Sequence, residues 1–127
     1  MLVFDAVIYN EDRHFGNFGI LRDNHTGKII KPAPIFDNGL SLFNFAMAED
    51  LENLSEYAKT RTPPYGVSFD EVCKAVMGSK QKSQLRKLLN FTFTRHPSIN
   101  LPEERLTAIE TQISKRAREF MSIPNSK

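Results

Sequence analysis

The chain has one cysteine, Cys73, among its 127 residues. A single cysteine excludes an internal disulfide framework and a zinc site built from several cysteines, and it fits a reducing cytoplasm. No run approaches the roughly 18 consecutive apolar residues of a membrane-spanning helix, so we expect no membrane segment. The formal net charge of +2 is too small to indicate nucleic-acid binding by itself. The expected class is therefore a cytoplasmic globular protein.

The sequence predicts a mainly α-helical fold with one small β-hairpin. Residues 2–10 are apolar on almost every side, and we expect them to form a buried helix. Residues 18–22 and 28–36 flank the turn-forming segment 23–27, so these two arms are expected to pair as a hairpin. The helical pattern begins after residue 45.

Apolar spacing and capping residues predict four further helices. One helix face has apolar residues at intervals of four, three and four, namely Met47, Leu51, Leu54 and Ala58. A capping box of Ser68 and Glu71 predicts the start of the next helix, which Gly78 is expected to end. A short helix then carries three leucines, Leu85, Leu88 and Leu89.

The last helix has the clearest pattern. A second capping box, Asn100 and Glu103, predicts its start, with Pro102 in the first turn where a missing amide costs little. Its buried face is expected to consist of five apolar residues at helical spacing, namely Leu106, Ile109, Ile113, Ala117 and Phe120.

Two acidic turns carry the candidate chemistry. Asp12 is followed five residues later by Asn17, and Asp37 comes twenty residues after that, two residues before a glycine. ATP-dependent kinases use this order of residues: the first Asp orients the attacking hydroxyl, and the Asn and second Asp hold magnesium on the phosphates. His14 could stabilise the developing charge on the transferred group, or it could brace the loop. The sequence therefore predicts a phosphoryl-transfer site.

Each part of this site also has a structural interpretation. Asp37 precedes Asn-Gly, a dipeptide typical of tight hairpin turns, and this favours an ordinary turn when the segment is considered alone. His14 alone is typical of a hydrogen-bonded structural histidine. Asp5, inside the apolar first helix, is expected to be a hydrogen-bonding partner, and Arg13 could pair with an acidic neighbour or with phosphate. The shared order and spacing favour the kinase interpretation.

Residues 10–19 and 34–42 together resemble the C-terminal domain of HipA-like serine/threonine kinases. The D-R-H-x-x-N run from Asp12 to Asn17 is also similar to the catalytic loop of phosphatidylinositol kinases. This resemblance implies Asp12 as the catalytic aspartate, and Asn17 and Asp37 as the magnesium ligands that bind the cofactor. It further implies ATP-dependent phosphorylation of a protein hydroxyl, sometimes within a toxin–antitoxin pair that includes an antitoxin-like partner.

The resemblance also implies a domain organisation. Residues 1–127 would form a single kinase C-lobe, with the catalytic loops and hairpin in residues 1–45 and the helical part in residues 46–127. The sequence has no Gly-x-Gly-x-x-Gly loop, and its Lys28 and Lys31 follow the catalytic loop instead of preceding it. We therefore expect that the N-lobe is absent, that ATP binds weakly or not at all, and that the chain is inactive alone.

Other functions stay open. The chain could be a non-catalytic C-lobe remnant that binds a protein partner, or it could dimerise through the lobe face left open. A hydrolytic metal site of Asp12, His14 and Asp37 ranks last, because no further ligand occurs at a recognisable spacing. A basic patch, which Arg95 and His96 could extend, is expected to be a solvated helix face and not a nucleic-acid site; it consists of Lys80, Lys82, Arg86 and Lys87.

Overall fold

Helices make up most of the regular structure in residues 1–126, the part of the chain that the computed structural model describes. The α-helices of this range are α1 (Leu2–Ile8), α2 (Ala48–Glu52), α3 (Leu54–Lys59), α4 (Phe69–Val76), α5 (Ser79–Leu85) and α6 (Glu103–Met121). The 3-10 helices are Phe15–Asn17 and Arg86–Leu88, and the strands are β1 (Ile20–Arg22) and β2 (Ile29–Pro32). The prediction of a mainly helical fold with a small hairpin is confirmed.

The hydrophobic core lies where α1 packs against α4 and α6. Ala6, Cys73 and Ala117, one from each of these helices, are completely buried. Burial raises the pKa of the Cys73 thiol to about 12, so this cysteine stays protonated at neutral pH and serves as a core residue. The expected burial of the first helix is confirmed along its second half, residues 5–8.

Tyr9 turns the chain from α1 into the first acidic loop. Its backbone is left-handed, with φ 52°, and the amide of Asn10 then donates to the carbonyl of Asp5 at 2.9 Å. The Tyr9 ring lies 4.9 Å from the ring of Phe43 and 5.5 Å from that of Phe69, measured between centroids. Aromatic packing in the core therefore holds Tyr9, the residue directly before the first acidic loop.

The hairpin forms as predicted. β1 and β2 are antiparallel, with Ile20 opposite Pro32 and an irregularity between Leu21 and Arg22. The Asp23 carboxylate accepts hydrogen bonds from the amides of two residues in the connecting turn, and Gly27 supplies the left-handed backbone with φ 68°. All seven strand residues are exposed, so the hairpin projects from the helical body.

The predicted helix containing Met47 and Ala58 is in fact two short helices, α2 and α3. Met47 caps α2, and its amide donates to the Asp50 carboxylate at 2.8 Å, so the helix begins after this residue and Met47 stays exposed. Asn53 then leaves helical geometry, with φ −136° and ψ 61°. An asparagine side chain can bond to nearby backbone groups in non-helical conformations, and this favours a break in the helix. The spacing of apolar residues does not reveal such a break.

The capping box before α4 and the predicted end of that helix are both confirmed. The Ser68 hydroxyl accepts from the Glu71 amide at 3.2 Å, and the Glu71 carboxylate accepts from the Ser68 amide at 2.8 Å. The helix ends at Val76, and Gly78 follows the C-cap residue Met77. Gly78 is extended, with φ −148°, and it is also the N-cap residue of α5.

The five apolar residues predicted for the face of α6 are all buried, but the predicted capping box is wrong. The Asn100 side chain instead donates to the carbonyl of His96 at 2.6 Å and accepts from its amide at 2.8 Å. The Glu103 carboxylate pairs with Arg95, which also pairs with Glu110. Arg95 is therefore bound to α6 and does not extend the basic patch.

Replacing Arg95 with glutamine should make stability less dependent on pH. The Arg95 guanidinium lowers the pKa values of Glu103 and Glu110 in the folded chain. Carboxylates with lowered folded pKa values contribute stability above their unfolded pKa of about 4.3, and this contribution is lost as pH falls through the folded values. The urea midpoint, followed by circular dichroism, should thus fall less between pH 6 and pH 3 in Arg95→Gln than in the parent chain.

The matched control for this measurement is Arg86→Gln, which changes an exposed arginine of the basic patch. Its midpoint should keep the parent dependence on pH. Equal acid sensitivity of Arg95→Gln and the parent would contradict the assigned role of the Arg95 pairs.

No helix within residues 1–126 is both long enough and apolar enough to cross a membrane.

Candidate functional site

Arg13 is the buried centre of the first acidic turn. Its side chain is essentially inaccessible, and its Nη2 and Nε atoms donate to the two carboxylate oxygens of Asp5 at 2.9 and 3.0 Å. Asn10 donates to the same carboxylate at 3.1 Å. The expected role of Asp5 as a hydrogen-bonding partner is confirmed, and Arg13 takes the acidic neighbour that the sequence offered as one of its two possible partners.

The same guanidinium also binds the second acidic turn. Its Nη1 atom donates to the carbonyl oxygens of Asn17 at 2.5 Å and of Phe36 at 2.8 Å, and its Nη2 atom donates to the side-chain oxygen of Asn38. The hydrogen bond to Asp5 raises the pKa of Arg13, and the negative charge of Asp37 adds to this increase. One buried cation therefore holds together the two turns that the sequence placed twenty residues apart.

Asn17 is oriented by a second hydrogen bond within the first turn. It ends the 3-10 helix, is buried, and donates through Nδ2 to the backbone carbonyl of Asp12 at 2.8 Å. This bond uses the amide nitrogen and leaves the side-chain oxygen as the atom that can ligate a cation. The orientation of the Asn17 side chain is therefore fixed by the backbone of Asp12.

Asp12 presents its carboxylate at the surface while its backbone is held inside. Its amide donates to the Asn10 side-chain oxygen at 3.1 Å, and its carbonyl accepts from Asn17. The side chain itself is 42% exposed, so the carboxylate can reach a hydroxyl group that approaches from solvent. The Asp12 carboxylate is therefore accessible to solvent while the loop that carries it is held by backbone hydrogen bonds.

His14 braces the loop through one ring nitrogen. Its Nδ1 atom accepts from the Gly16 amide at 3.0 Å, whereas Nε2 lies 3.9 Å from the Asp12 carboxylate and the side chain is about half exposed. A Cβ atom on Gly16 would lie 2.9 Å from the His14 ring, so a larger residue at this position would displace the ring from its present place. The structural role suggested for His14 is present, and its Nε2 atom stays beside Asp12.

Asp37 has an unusual backbone conformation. Its φ is 52°, in the left-handed region that most residues avoid and that aspartate adopts more often than most, and its side chain is exposed. Such conformations cluster at functional sites, where surrounding contacts hold them in place. Here the contacts on both sides of Asp37 are the bonds from Arg13 to Phe36 and Asn38.

The alternative of an ordinary hairpin turn at Asp37 is wrong. Within the described residues, β2 ends at Pro32 and no strand that follows the turn pairs with it. The turn is instead tied to the first loop, since the Glu11 amide donates to the Leu40 carbonyl at 3.0 Å. The segment is a loop anchored to the candidate site.

Asn10 and Asn38 are site residues that the sequence pattern did not single out. Each one forms a hydrogen bond with a charged side chain of the site. Asn10 donates to the carboxylate of Asp5, and Asn38 accepts from the guanidinium of Arg13. Their location, directly beside the two acidic motifs, was the one available signal.

The hydrolytic alternative finds no supporting ligand set. Across residues 1–126, no three His, Cys, Asp or Glu side chains lie close enough together to hold a metal ion. Asp12, His14 and Asp37 therefore do not form such a group by themselves.

An exposed apolar surface borders the candidate site. Phe15, in the first turn, is 92% exposed, and Ile29 and Ile30 of the hairpin are about 60% exposed. Phe15 also packs against Phe18, with ring centroids 5.9 Å apart, so two partly or fully exposed aromatic rings lie together at the first turn.

Comparison of the chain with models of protein families, with curated proteins and with solved structures gave no match. The resemblance to HipA-like kinases consequently depends on residues 10–19 and 34–42 alone.

Proposed function

We propose that this chain is the catalytic half of an ATP-dependent, HipA-like protein kinase, which transfers a phosphoryl group to a serine or threonine hydroxyl when a second lobe covers the nucleotide. The observation that carries the proposal is the Arg13 bridge. It joins the loop that contains Asp12 and Asn17 to the turn that contains Asp37. Phosphoryl transfer requires such positioning more than covalent chemistry.

The donor set fits magnesium. Mg²⁺ prefers oxygen ligands and usually takes one or two carboxylates together with substrate phosphates. Asp37 offers an exposed carboxylate, and Asn17 offers an amide oxygen whose orientation is fixed by the bond to the Asp12 carbonyl. The ion, when bound, would neutralise phosphate charge, while Asp12 would accept or orient the hydroxyl proton.

A second lobe is part of the proposal. The sequence has no glycine-rich loop and no lysine before the catalytic loop, so nothing in residues 1–126 would cover the phosphates. The exposed apolar residues beside the site suit contact with such a lobe, as well as with a protein substrate or an antitoxin-like partner. We place the protein in the cytoplasm, where ATP and a reduced Cys73 are both expected.

Titration with Mn²⁺ and ADP tests the metal ligands directly. The paramagnetic ion should broaden the backbone amide signals of Asn17 and Asp37 first, as measured by ¹H–¹⁵N NMR on the labelled chain in complex with a protein that supplies the nucleotide-covering lobe. Asp37→Asn keeps the left-handed conformation accessible but removes the charge. It should raise the Mn²⁺ concentration needed for half-maximal broadening by at least roughly 10–100-fold, the loss of metal affinity that removal of outer-shell partners causes.

The control is Glu104→Gln, which removes an exposed carboxylate at the start of α6. It should leave the titration unchanged. Broadening spread evenly over exposed carboxylates, and equally affected by both variants, would overturn the assignment of Asn17 and Asp37.

The second candidate is a non-catalytic C-lobe that binds a protein partner. The missing phosphate-covering elements and the exposed apolar hairpin favour it. It predicts no selective effect of Mn²⁺ and ADP at Asn17 and Asp37, so the same titration separates the two functions.

A further inference from the structure

A surface groove with a volume of about 620 Å³ is formed by three separate segments of the chain, and Asp12 is not among its lining residues. Most of the lining side chains are apolar, namely Met1, Val3, Phe4, Val7, Ile35, Leu85 and Leu88, and Gln81 and Gln84 line it as well. Phe4 and Ile35 are each more than 40% exposed, although both are large apolar residues. Such a volume is within the roughly 300–1,000 Å³ of sites that enclose a ligand.

The groove has a positive rim. Lys80 and Lys87 line it, and no carboxylate of the described residues does. Neither lysine takes part in any of the ion pairs found between residues 1 and 126. An apolar floor with unpaired ammonium groups at its edge complements a surface that is apolar in the centre and acidic at the margins.

The groove also connects to the candidate catalytic site through Ile35. This residue precedes Phe36, whose carbonyl accepts from Arg13 at 2.8 Å, and Asp37 follows immediately. A side chain that packs on Ile35 therefore acts on the segment whose conformation places Asp37.

We propose that the groove receives an acidic amphipathic helix from the protein that supplies the nucleotide-covering lobe, and that this contact sets the position of Asp37. The inference rests on the proposed function for the identity of the partner. A helix fits because apolar residues at i, i+3, i+4 and i+7 present one continuous stripe to a groove between elements. Glutamates flanking that stripe would face Lys80 and Lys87.

A synthetic peptide serves as the probe. It has about 14 residues, roughly four helical turns, with leucine at i, i+3, i+4 and i+7 and glutamate beside the stripe. A matched peptide carries lysine in place of every glutamate. Fluorescence anisotropy should show that the acidic peptide binds the intact chain about tenfold more tightly than the basic one, because its glutamates pair with Lys80 and Lys87 whereas the basic peptide is repelled by them.

Two variants locate the binding site. Phe4→Glu should abolish binding, and the paired change Lys80→Glu with Lys87→Glu should reverse the preference, so that the basic peptide binds better. The control variants are Lys28→Glu on the hairpin turn and Ile99→Glu, which is 78% exposed and lies outside the groove. Both should bind the acidic peptide as the parent does, and NMR of the parent complex should show shifts at the Asp37 and Asn38 amides.

Equal affinity for the two peptides, or binding unaffected by the reversed lysines, would overturn the proposal. Analytical ultracentrifugation tests a second copy of the chain as the occupant. If the chain self-associates, if Phe4→Glu removes this self-association, and if the acidic peptide does not compete with it, the groove binds a second copy instead. Peptide binding needs neither ATP nor metal, so its failure leaves the Mn²⁺ result intact, and a failed Mn²⁺ titration leaves the peptide result intact.

Discussion

Replacing Arg13 with methionine should lower the free energy of unfolding by about 3–5 kcal/mol, the cost of leaving a buried charge without its partner. Asp5 is almost completely buried, and its carboxylate would keep only the hydrogen bond from Asn10. The carbonyls of Asn17 and Phe36 would lose their donor as well. Urea unfolding followed by circular dichroism measures the change.

The matched control is Arg61→Met. Arg61 forms an ion pair with Glu11 at 3.5 Å, and both side chains are partly exposed to solvent, so its loss should cost about 0–1 kcal/mol. The double variant Asp5→Leu with Arg13→Met removes both charges and should recover part of the loss, since a buried pair can often be replaced by apolar residues. Equal costs for the two single arginine variants would contradict the central role of Arg13.

Periodic apolar patterns predicted the parts of the fold that bury one face. The α6 face and the buried α1 helix follow from side chains that must leave water, and the hairpin follows from turn residues around Gly27. The errors lie where an asparagine side chain or backbone departs from the helical pattern. Asn53 divides one predicted helix into α2 and α3, and the Asn100 side chain binds the backbone of His96 instead of capping α6. Apolar spacing does not encode either choice.

The candidate site was predictable in its residues but not in its assembly. The order of Asp12, Asn17 and Asp37 along the chain was enough to mark two loops. The bonds from Arg13 to Phe36 and Asn38 span 23 and 25 residues, and no local pattern announces them. The sequence suggested that Arg13 pairs with an acidic group or with phosphate, and the structure adds that it also bonds to the second loop at Phe36 and Asn38.

Asp12→Asn should reduce phosphoryl transfer by about 10²–10⁴-fold, the range for removal of a general acid–base group. The chain would be produced together with a protein that contains a glycine-rich loop and a phosphate-binding lysine, the two elements that the chain lacks before its catalytic loop. Transfer of the γ-phosphate of labelled ATP to serine or threonine would then be measured. Because the Asp12 side chain is 42% exposed and its backbone makes the loop's hydrogen bonds, this variant should keep the parent stability. A loss of activity therefore reports chemistry and not unfolding.

His14→Gln separates the two roles of the neighbouring histidine. Glutamine can still accept the Gly16 amide bond that braces the loop, but it lacks the ring nitrogen that lies 3.9 Å from Asp12. If His14 only braces the loop, this variant should keep transfer within a few-fold of the parent, whereas a charge-stabilising His14 predicts a loss approaching that of Asp12→Asn. Transfer that survived both Asp12→Asn and Asp37→Asn unchanged would show that neither carboxylate carries the reaction, and the chain would then be a binding module.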